Sequence, residues 1–417
     1  MGAAGAAATT RAGHHCHRIL AREAHVRYPR AAVLTAAVLT ATTLWPVTST
    51  AAESSPKWDV MPEVPTASGG GLRDVAALAS DNAWVVGSAY TAHWNGVTWT
   101  PLPLPPPTKP SGVYDLSAVD AVGSAAWAVG GERSLSTGGT TTTAVILGYN
   151  GRGWVRAPIP ASGGNAMLND VDMLGPDGGW AVGSTMDNGG PARVLVLRAR
   201  SGLWAEVTVP AVGGASPELS SVYARSDTDA WAVGSYLRAD GRRASLVLHW
   251  NGAAWKQVAV PVNDPLADET LASVAALSAT DVWAVGRTCS EGGLMGCRPL
   301  VLRLLGETWQ VIPPADAGTE FVEVMPFSAT DVWVLGYAVA ADGAEHDHAQ
   351  HWDGAGFTVD TSTPAPGPAD PDPQGEAASA IEAATTAADA SGMWAVGWAT
   401  EGSTNVSHAI RRGALGN

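Results

Sequence analysis

The chain has 417 residues, of which 46 % are hydrophobic and only 15 % charged, with a formal net charge of -15 at pH 7 and three Lys in all. An acidic chain so poor in Lys excludes nucleic acid and anionic lipid as main partners, because both attract basic side chains. Abundant Gly (48) and Pro (28) suit many short strands joined by turns, so helices are expected to be nearly absent.

Residues 1–30 carry Arg11, Arg18, Arg22, Arg27 and Arg30, followed by the apolar run 31–47 and then Ser49-Thr50-Ala51-Ala52. Basic region, apolar region and small-residue cleavage site in that order predict a secretory signal over 1–52. The competing reading is an uncleaved anchor, for which the run, broken by Thr and Pro46, is short of the ~20 residues that span a bilayer. Cleavage leaves 19 of the 24 Lys+Arg and 38 of the 39 Asp+Glu, so the mature chain becomes more acidic. It is expected to be secreted, with no membrane insertion after cleavage.

Beyond the leader one pattern dominates. Asp281-Val282-Trp283-Ala284-Val285-Gly286 has near copies around Trp84, Trp127, Trp180, Trp231, Trp333 and Trp394, with successive Trp spaced by 43, 53, 51, 52, 50 and 61 residues. A period near fifty marks a repeat architecture whose units cannot bury their apolar faces alone. In the fourth copy, strands are predicted over 219–223, 230–234, 245–250 and 255–260, with a tight turn at 226–229 and a hairpin at Asn251-Gly252. The segments 91–99, 146–154, 196–204, 247–255, 301–309 and 349–357 are all nine residues long, which fixes the register of the third-to-fourth-strand hairpin.

The seventh copy ends at Arg411-Arg412-Gly413 with no fourth strand, while Lys57-Trp58-Asp59-Val60-Met61-Pro62 looks like the fourth strand of the first copy, Trp99-Thr100-Pro101-Leu102-Pro103. The predicted fold is therefore an all-β, seven-bladed β-propeller of four-stranded antiparallel blades over 54–417, its last blade closed by residues 54–65. Seven equivalent Trp are expected to form the blade-to-blade core.

The runs Asn82-Ala83-Trp84-Val85-Val86-Gly87, His93-Trp94-Asn95-Gly96 and Trp99-Thr100-Pro101 resemble a kelch repeat, most closely in Ala126-Trp127-Ala128-Val129-Gly130-Gly131 with Tyr149 and Trp154. Gly252 to Trp255 is similar to the end of the Asp-box of sialidase-like propellers. The double glycine occurs in one copy alone, and the Ser-x-Asp part of the Asp-box is missing. The resemblance implies a propeller fold and carries no catalytic residue to this chain.

Length variation falls in the second-to-third-strand connections and in those between blades, which open on one face: 131–143, 185–192, 288–299, 338–348 and the Pro-rich 361–379. Function on a rigid scaffold gathers on such loops. On that face the residue after the repeated Gly breaks pattern in three consecutive blades, at Arg287, Tyr337 and Trp398, with Tyr236 one position further along in the blade before. Aromatic rings beside a donor suit a sugar or a peptide side chain; blade packing is the alternative reading.

A second column, Asp74, Asp115, Asp170, Ser221, Ser273 and Glu323, is expected to line the channel, where carboxylates suit a hard cation such as calcium. His346, Asp347 and His348, beside Glu345, have spacing a transition metal can use, although His351 matches His93 and His249 as a repeat position. Cys289 and Cys297 in an exported chain predict a disulfide closing a hairpin loop, worth on the order of 2 kcal/mol. No cofactor is otherwise implied.

These readings favour an exported, non-catalytic, monomeric propeller that binds a glycan or extracellular protein on its variable face. A secreted enzyme, of the glycosidase/sialidase or the copper-oxidase kind, is the alternative, although no arginine trio of the sialidase kind is spaced by the repeat and the two mature Cys, one of which a copper radical oxidase needs free beside a Tyr, are expected to bond each other. A surface scaffold protein without a discrete ligand is the third.

Overall fold

The structure is a computed structural model. It describes residues 57–413 apart from 66–70, 137–138, 162–163, 187–189, 291–295, 317, 319, 341–342, 364–378 and 402–403, so the leader 1–52 and most of the Pro-rich segment lie outside the described residues. Seven sheets of four antiparallel strands form the ring, and no α-helix occurs among the described residues.

Blade 4 shows the common plan in its strands Ala215–Ser226, Asp229–Leu237, Arg243–Trp250 and Trp255–Gln257. The inner three run longer than predicted. The outermost stops at Gln257, after which Val258 adds a single bond to the Val247 carbonyl, because chain heading for the next blade has no further partner. Blade 2 differs more: 131–143 is largely a hairpin extension, with strands reaching Ser136 and restarting at Gly139, as the β-branched run Thr140 to Thr143 favours. Residues 345–348 likewise belong to a strand, Glu345–Trp352, rather than to a loop tip.

Closure follows the expected path. The strand Trp58–Val60 pairs with the last strand of the chain, Trp58 opposite Arg412 and Val60 opposite Ile410, completing the seventh sheet. Trp58 buries its ring and donates Nε1–H to Asp360 Oδ2 of blade 6 at 3.0 Å, and Arg412 reaches the same carboxylate.

The core is seven apolar clusters, one at each junction between blades. Each repeated Trp leans on the blade after its own: Trp84 on Tyr149 and Trp154, Trp180 on Trp250 and Trp255, Trp231 on Trp309, Trp283 on Trp352, and Trp394 round the ring onto Trp94 and Trp99. Burying such a ring contributes roughly 4–6 kcal/mol before entropy. Trp180, Trp231, Trp283, Trp333 and Trp394 leave Nε1 without a partner among the described residues, at a cost of about 1–3 kcal/mol each, so burial still wins.

A guanidinium or an imidazole faces most of these rings. The residue directly across the hairpin from the Trp is His93, Arg198, His249, Arg303, His351 or Arg411, with Gly148 in blade 2 the exception. His249 stacks on Trp231 and bonds Asp229 at 2.9 Å, and His351 does the same with Trp333 and Asp331 at 2.8 Å. The expectation that His351 is a repeat position is met.

The repeated Gly has a steric cause. In every blade the first strand slips register by one residue, a β-bulge at Leu72/Asp74, Leu116/Ala118, Leu168/Asp170, Leu219/Ser221, Leu271/Ser273, Phe321/Glu323 and Ile381/Ala383. Each bulge presses a carbonyl onto the Gly opposite: a Cβ on Gly286 would lie 2.1 Å from Thr270 O, and one on Gly336 2.0 Å from Glu320 O. Only a residue without Cβ fits. Gly286→Ala is therefore expected to cost at least about 1–3 kcal/mol. Gly148→Ala, where an added Cβ meets nothing within 4 Å, should stay within about 0.5 kcal/mol. Urea unfolding of the two variants compares them, and equal midpoints would refute the steric role of the bulge.

Candidate functional site

Connections between first and second strands are two residues long in blades 1 to 6, and third-to-fourth connections are two or four. The other two connection types open together on the opposite face, where the bulges lie. The disulfide Cys289–Cys297 ties the base of one such loop in blade 5, across directly paired strand residues. The pairing read from the sequence is thus correct.

Bulges also decide what faces the axis. Asp74, Asp170, Ser221, Ser273 and Glu323 follow their bulges and line the channel, but Asp115 does not. It precedes the bulge in blade 2, where Ala118 holds the channel position, and it lies opposite Gly131 at the mouth. There Asp115 accepts from Ser88 Oγ at 3.0 Å and pairs with Arg73 and Arg133. In blade 2 the carboxylate stands three residues ahead of the channel position, on the other side of the bulge.

The channel carboxylates act as latches between blades. Asp74 accepts from its own neighbour Val75 N at 2.8 Å and from Val119 N of blade 2 at 2.7 Å. Asp170 does this with Val171 and Val222, and Asp120, which sequence reasoning missed, with Ala121 and Met173. Asp172 reaches Ala224 N, and Glu323 accepts from Ser273 Oγ at 2.8 Å. Oxygens occupied by N–H groups are poor cation ligands, and no group of three or more His, Cys, Asp or Glu among the described residues is placed to hold a metal ion. Burial, together with neighbouring carboxylates, lifts Asp74 well above the usual range, Asp170 to about 7 and Glu323 to about 8.

The His346–Asp347–His348 segment is split by its strand. His348 turns toward blade 5, stacking on Phe321 and meeting Asp316 at 3.1 Å and Gln350 at 3.0 Å. Asp347 points to the other side, where Oδ2 meets His408 Nε2 of blade 7 at 3.0 Å. His346 and His348 share a side of the strand, but Asp347 does not join them.

At the mouth the three pattern-breaking residues form an arc rather than one pocket. Arg287 of blade 5 donates Nη1–H to Glu320 Oε2 of blade 6 at 2.7 Å, and the Tyr337 hydroxyl donates to the same oxygen at 2.9 Å. Burial and the Glu320 charge push the Tyr337 hydroxyl far above its ordinary value of 10.0, so it stays a proton donor. Burial and Glu320 also raise Glu345, which begins the third strand of blade 6.

Blade 7 continues the arc through Glu382, its bulge residue. Glu382 is raised by burial, an effect opposed by Arg73 of blade 1 and by a hydrogen bond to Trp398. Trp398 itself lies against Gly71 of blade 1, half-buried. Tyr236 is not part of this arc: two positions past its Gly rather than one, it turns back toward blade 3 and packs by Gly214 and Val212. Glu320, Glu382 and Arg73 were not singled out from the sequence, although Glu382 and Arg73 share the position just after an apolar residue in the first strand that marks each bulge.

No protein-family model matches the chain, and no curated protein matches it. Among solved structures, YCF48 bound to D1 peptide is similar at 15 % identity and a TM-score of 0.53, over 87 % of this chain and 100 % of that one. A polysaccharide lyase of the PL25 ulvan lyase family is similar at 10 % identity and a TM-score of 0.55, over 87 % and 95 %. At these identities the likeness shows the propeller fold alone.

The raised channel carboxylates set a pH dependence. Asp170 and Glu323 titrate near 3.8 and 4.5 when unfolded and near 7 and 8 when folded, so between those values the folded state holds more protons. Stability is expected to fall as pH rises through that window, from about 4 to about 8. Glu323→Gln keeps the Ser273 bond and should flatten the dependence; urea midpoints at about pH 5 and pH 9 test this, and an unchanged slope would count against the channel as its source.

Proposed function

We propose that this is an exported, non-catalytic propeller that binds a protein or glycan ligand on its variable face, at the mouth arc running from Arg287 through Tyr337 to Trp398. One observation carries the reading. Arg287 and Tyr337, from adjacent blades, are both fixed on one oxygen of Glu320, while the side chain of the neighbouring Glu345 has no hydrogen bond or ion pair among the described residues. A fixed guanidinium and aromatic ring beside an uncommitted carboxylate are what orient a polar ligand. Export is supported by the order of basic, apolar and small residues in 1–52 and by the Cys289–Cys297 bond, which persists in an oxidising compartment. The protein acts as a monomer, its ring needing no second copy to close, and the kelch-like and Asp-box-like elements make it a distant relative of those repeat groups.

An enzymatic reading would use Tyr337 with Glu320. It is disfavoured because a nucleophilic or basic tyrosine needs a lowered pKa, whereas burial and Glu320 raise this one. Glycan and peptide arrays probed with the purified protein decide. Binding that weakens at least about tenfold in Tyr337→Ala and Trp398→Ala, with melting temperature kept, is the expected result. Silence on every array, accompanied by hydrolase or lyase turnover of a polysaccharide, would overturn it.

A further inference from the structure

The outermost strand of every blade is short, and the blades differ in how they cover the edge it leaves bare. In each blade one N–H just past the fourth strand reaches a carbonyl of the third, as Val207 N reaches Val196 O at 2.9 Å, and the chain then turns away. Main-chain polar groups alternate sides along a strand, so those two and four residues before that carbonyl point to the same bare side.

Most blades close this edge. Ala89 N of blade 1 donates to Tyr114 O of blade 2 at 3.0 Å, beside a bridge between Ser88 and Asp115. Thr142 N donates to Asn165 Oδ1 at 2.8 Å, Arg243 N to Asp268 Oδ1 at 2.7 Å and Asp347 N to Ser379 Oγ at 3.2 Å, each acceptor coming from the first strand of the following blade. Blade 5 has Pro299 at this place, which carries no N–H, and blade 7 turns Ser407 Oγ onto Val64 O.

Blade 3 has no such closure. Its third strand keeps one register from Ala192 to Arg200, which directs the N–H and C=O of Ala192 and Val194 and the N–H of Val196 to the bare side, with no partner among the described residues. Ser216 stands where Asn165 and Asp268 stand, three residues before the Leu of the bulge, but it is held at φ 44° and accepts nothing from the edge. In front of the edge lies a groove of about 320 Å³, with Ala192, Arg193 and Val194 on one side and Val207, Val209 and Pro217 among the residues facing them.

We infer that this groove of blade 3 takes an extended segment of a partner polypeptide, added to the third strand along the line that the fourth strand abandons at Val207 and antiparallel to residues 192–196. Bare N–H and C=O groups in a row are a template for such a strand, which lies about 4.8 Å away. Two observations choose the occupant. In blade 1 the same position is covered by extended main chain, residues 114–115, so that is what the edge accepts. In blade 3 the edge is set behind the connector 207–212, which admits a free segment and keeps out the rim of a second folded copy. Main-chain bonds supply the affinity, and the wall of valines and Pro217 favours Val, Ile or Thr on the segment. The site is separate from Arg287, Tyr337 and Trp398, which belong to blades 5 to 7.

The test is fluorescence anisotropy of a labelled short peptide of alternating Thr and Val, titrated with the purified protein up to about 1 mM, a concentration at which even weak association registers. Binding is expected, with slowed amide hydrogen exchange over residues 192–196. The same peptide N-methylated at every residue should bind at least about tenfold more weakly, having lost its main-chain donors. Val194→Pro, which copies Pro299 of blade 5, and Ser216→Asn, which copies Asn165 at a φ that Asn tolerates, should each weaken binding by a similar factor with melting temperature kept. Absence of binding, equal binding of the N-methylated peptide, or full binding by both variants overturns the inference. So does binding lost in Tyr337→Ala and Trp398→Ala, which would place the peptide at the mouth, or a concentration-dependent dimer abolished by Val194→Pro, which would make a second copy the occupant.

Discussion

Each blade presents an apolar face that only its neighbour can cover, and the repeated Trp makes that cover. Trp283 crosses to Trp352 and Phe357 of the following blade, and Trp394 crosses the closing junction to Trp94 and Trp99. The same contact made seven times round a circle leaves no face open, which is why the fold needs no helix to cap it. Cross-hairpin arginines cover the indole in blades 3, 5 and 7, as Arg303 does 4.5 Å over the Trp283 ring, clamped by Asp281.

A second constraint, the bulge in every first strand, converts this packing unit into a surface. The bulge demands Gly opposite it, and it rotates the strand so that the residues after it face the channel while those before it reach the mouth. Asp74 and Asp115 are the same residue type with different fates for this reason. One latches Val119 of the next blade, and the other holds Arg73 and Arg133 at the rim. Scaffold and site therefore use positions three residues apart on one strand, with the bulge between them.

The fold was legible because its signals are local and repeated. The Trp spacing gave the blade count, the nine-residue hairpins the register, and the orphan segment at Trp58 the closure. Less of the site was legible. Arg287, Tyr337 and Trp398 stood out as departures from the repeat, but Arg287 meets its carboxylate across a blade junction, and Glu320 and Glu382 stand beside the bulges of the first strands in the blades of Tyr337 and Trp398, where the inserted residue hides the pairing from a linear reading. Tyr236 was misplaced because one step along a strand reverses the side chain. Asp347 and His348 were grouped by adjacency, and that same alternation sends them to different junctions.

The closing strand has a temporal consequence. Trp58 belongs to the first blade-forming segment to leave a ribosome, yet its partners Arg412 and Asp360, and Ile410 opposite Val60, are among the later residues to follow. The piece made first is used last. Until the final strand arrives, blade 7 has an open edge and the indole of Trp58 has no home, so the ring is held as an incomplete arc throughout its emergence. Completion then joins the first and last strands of the ring in a single sheet.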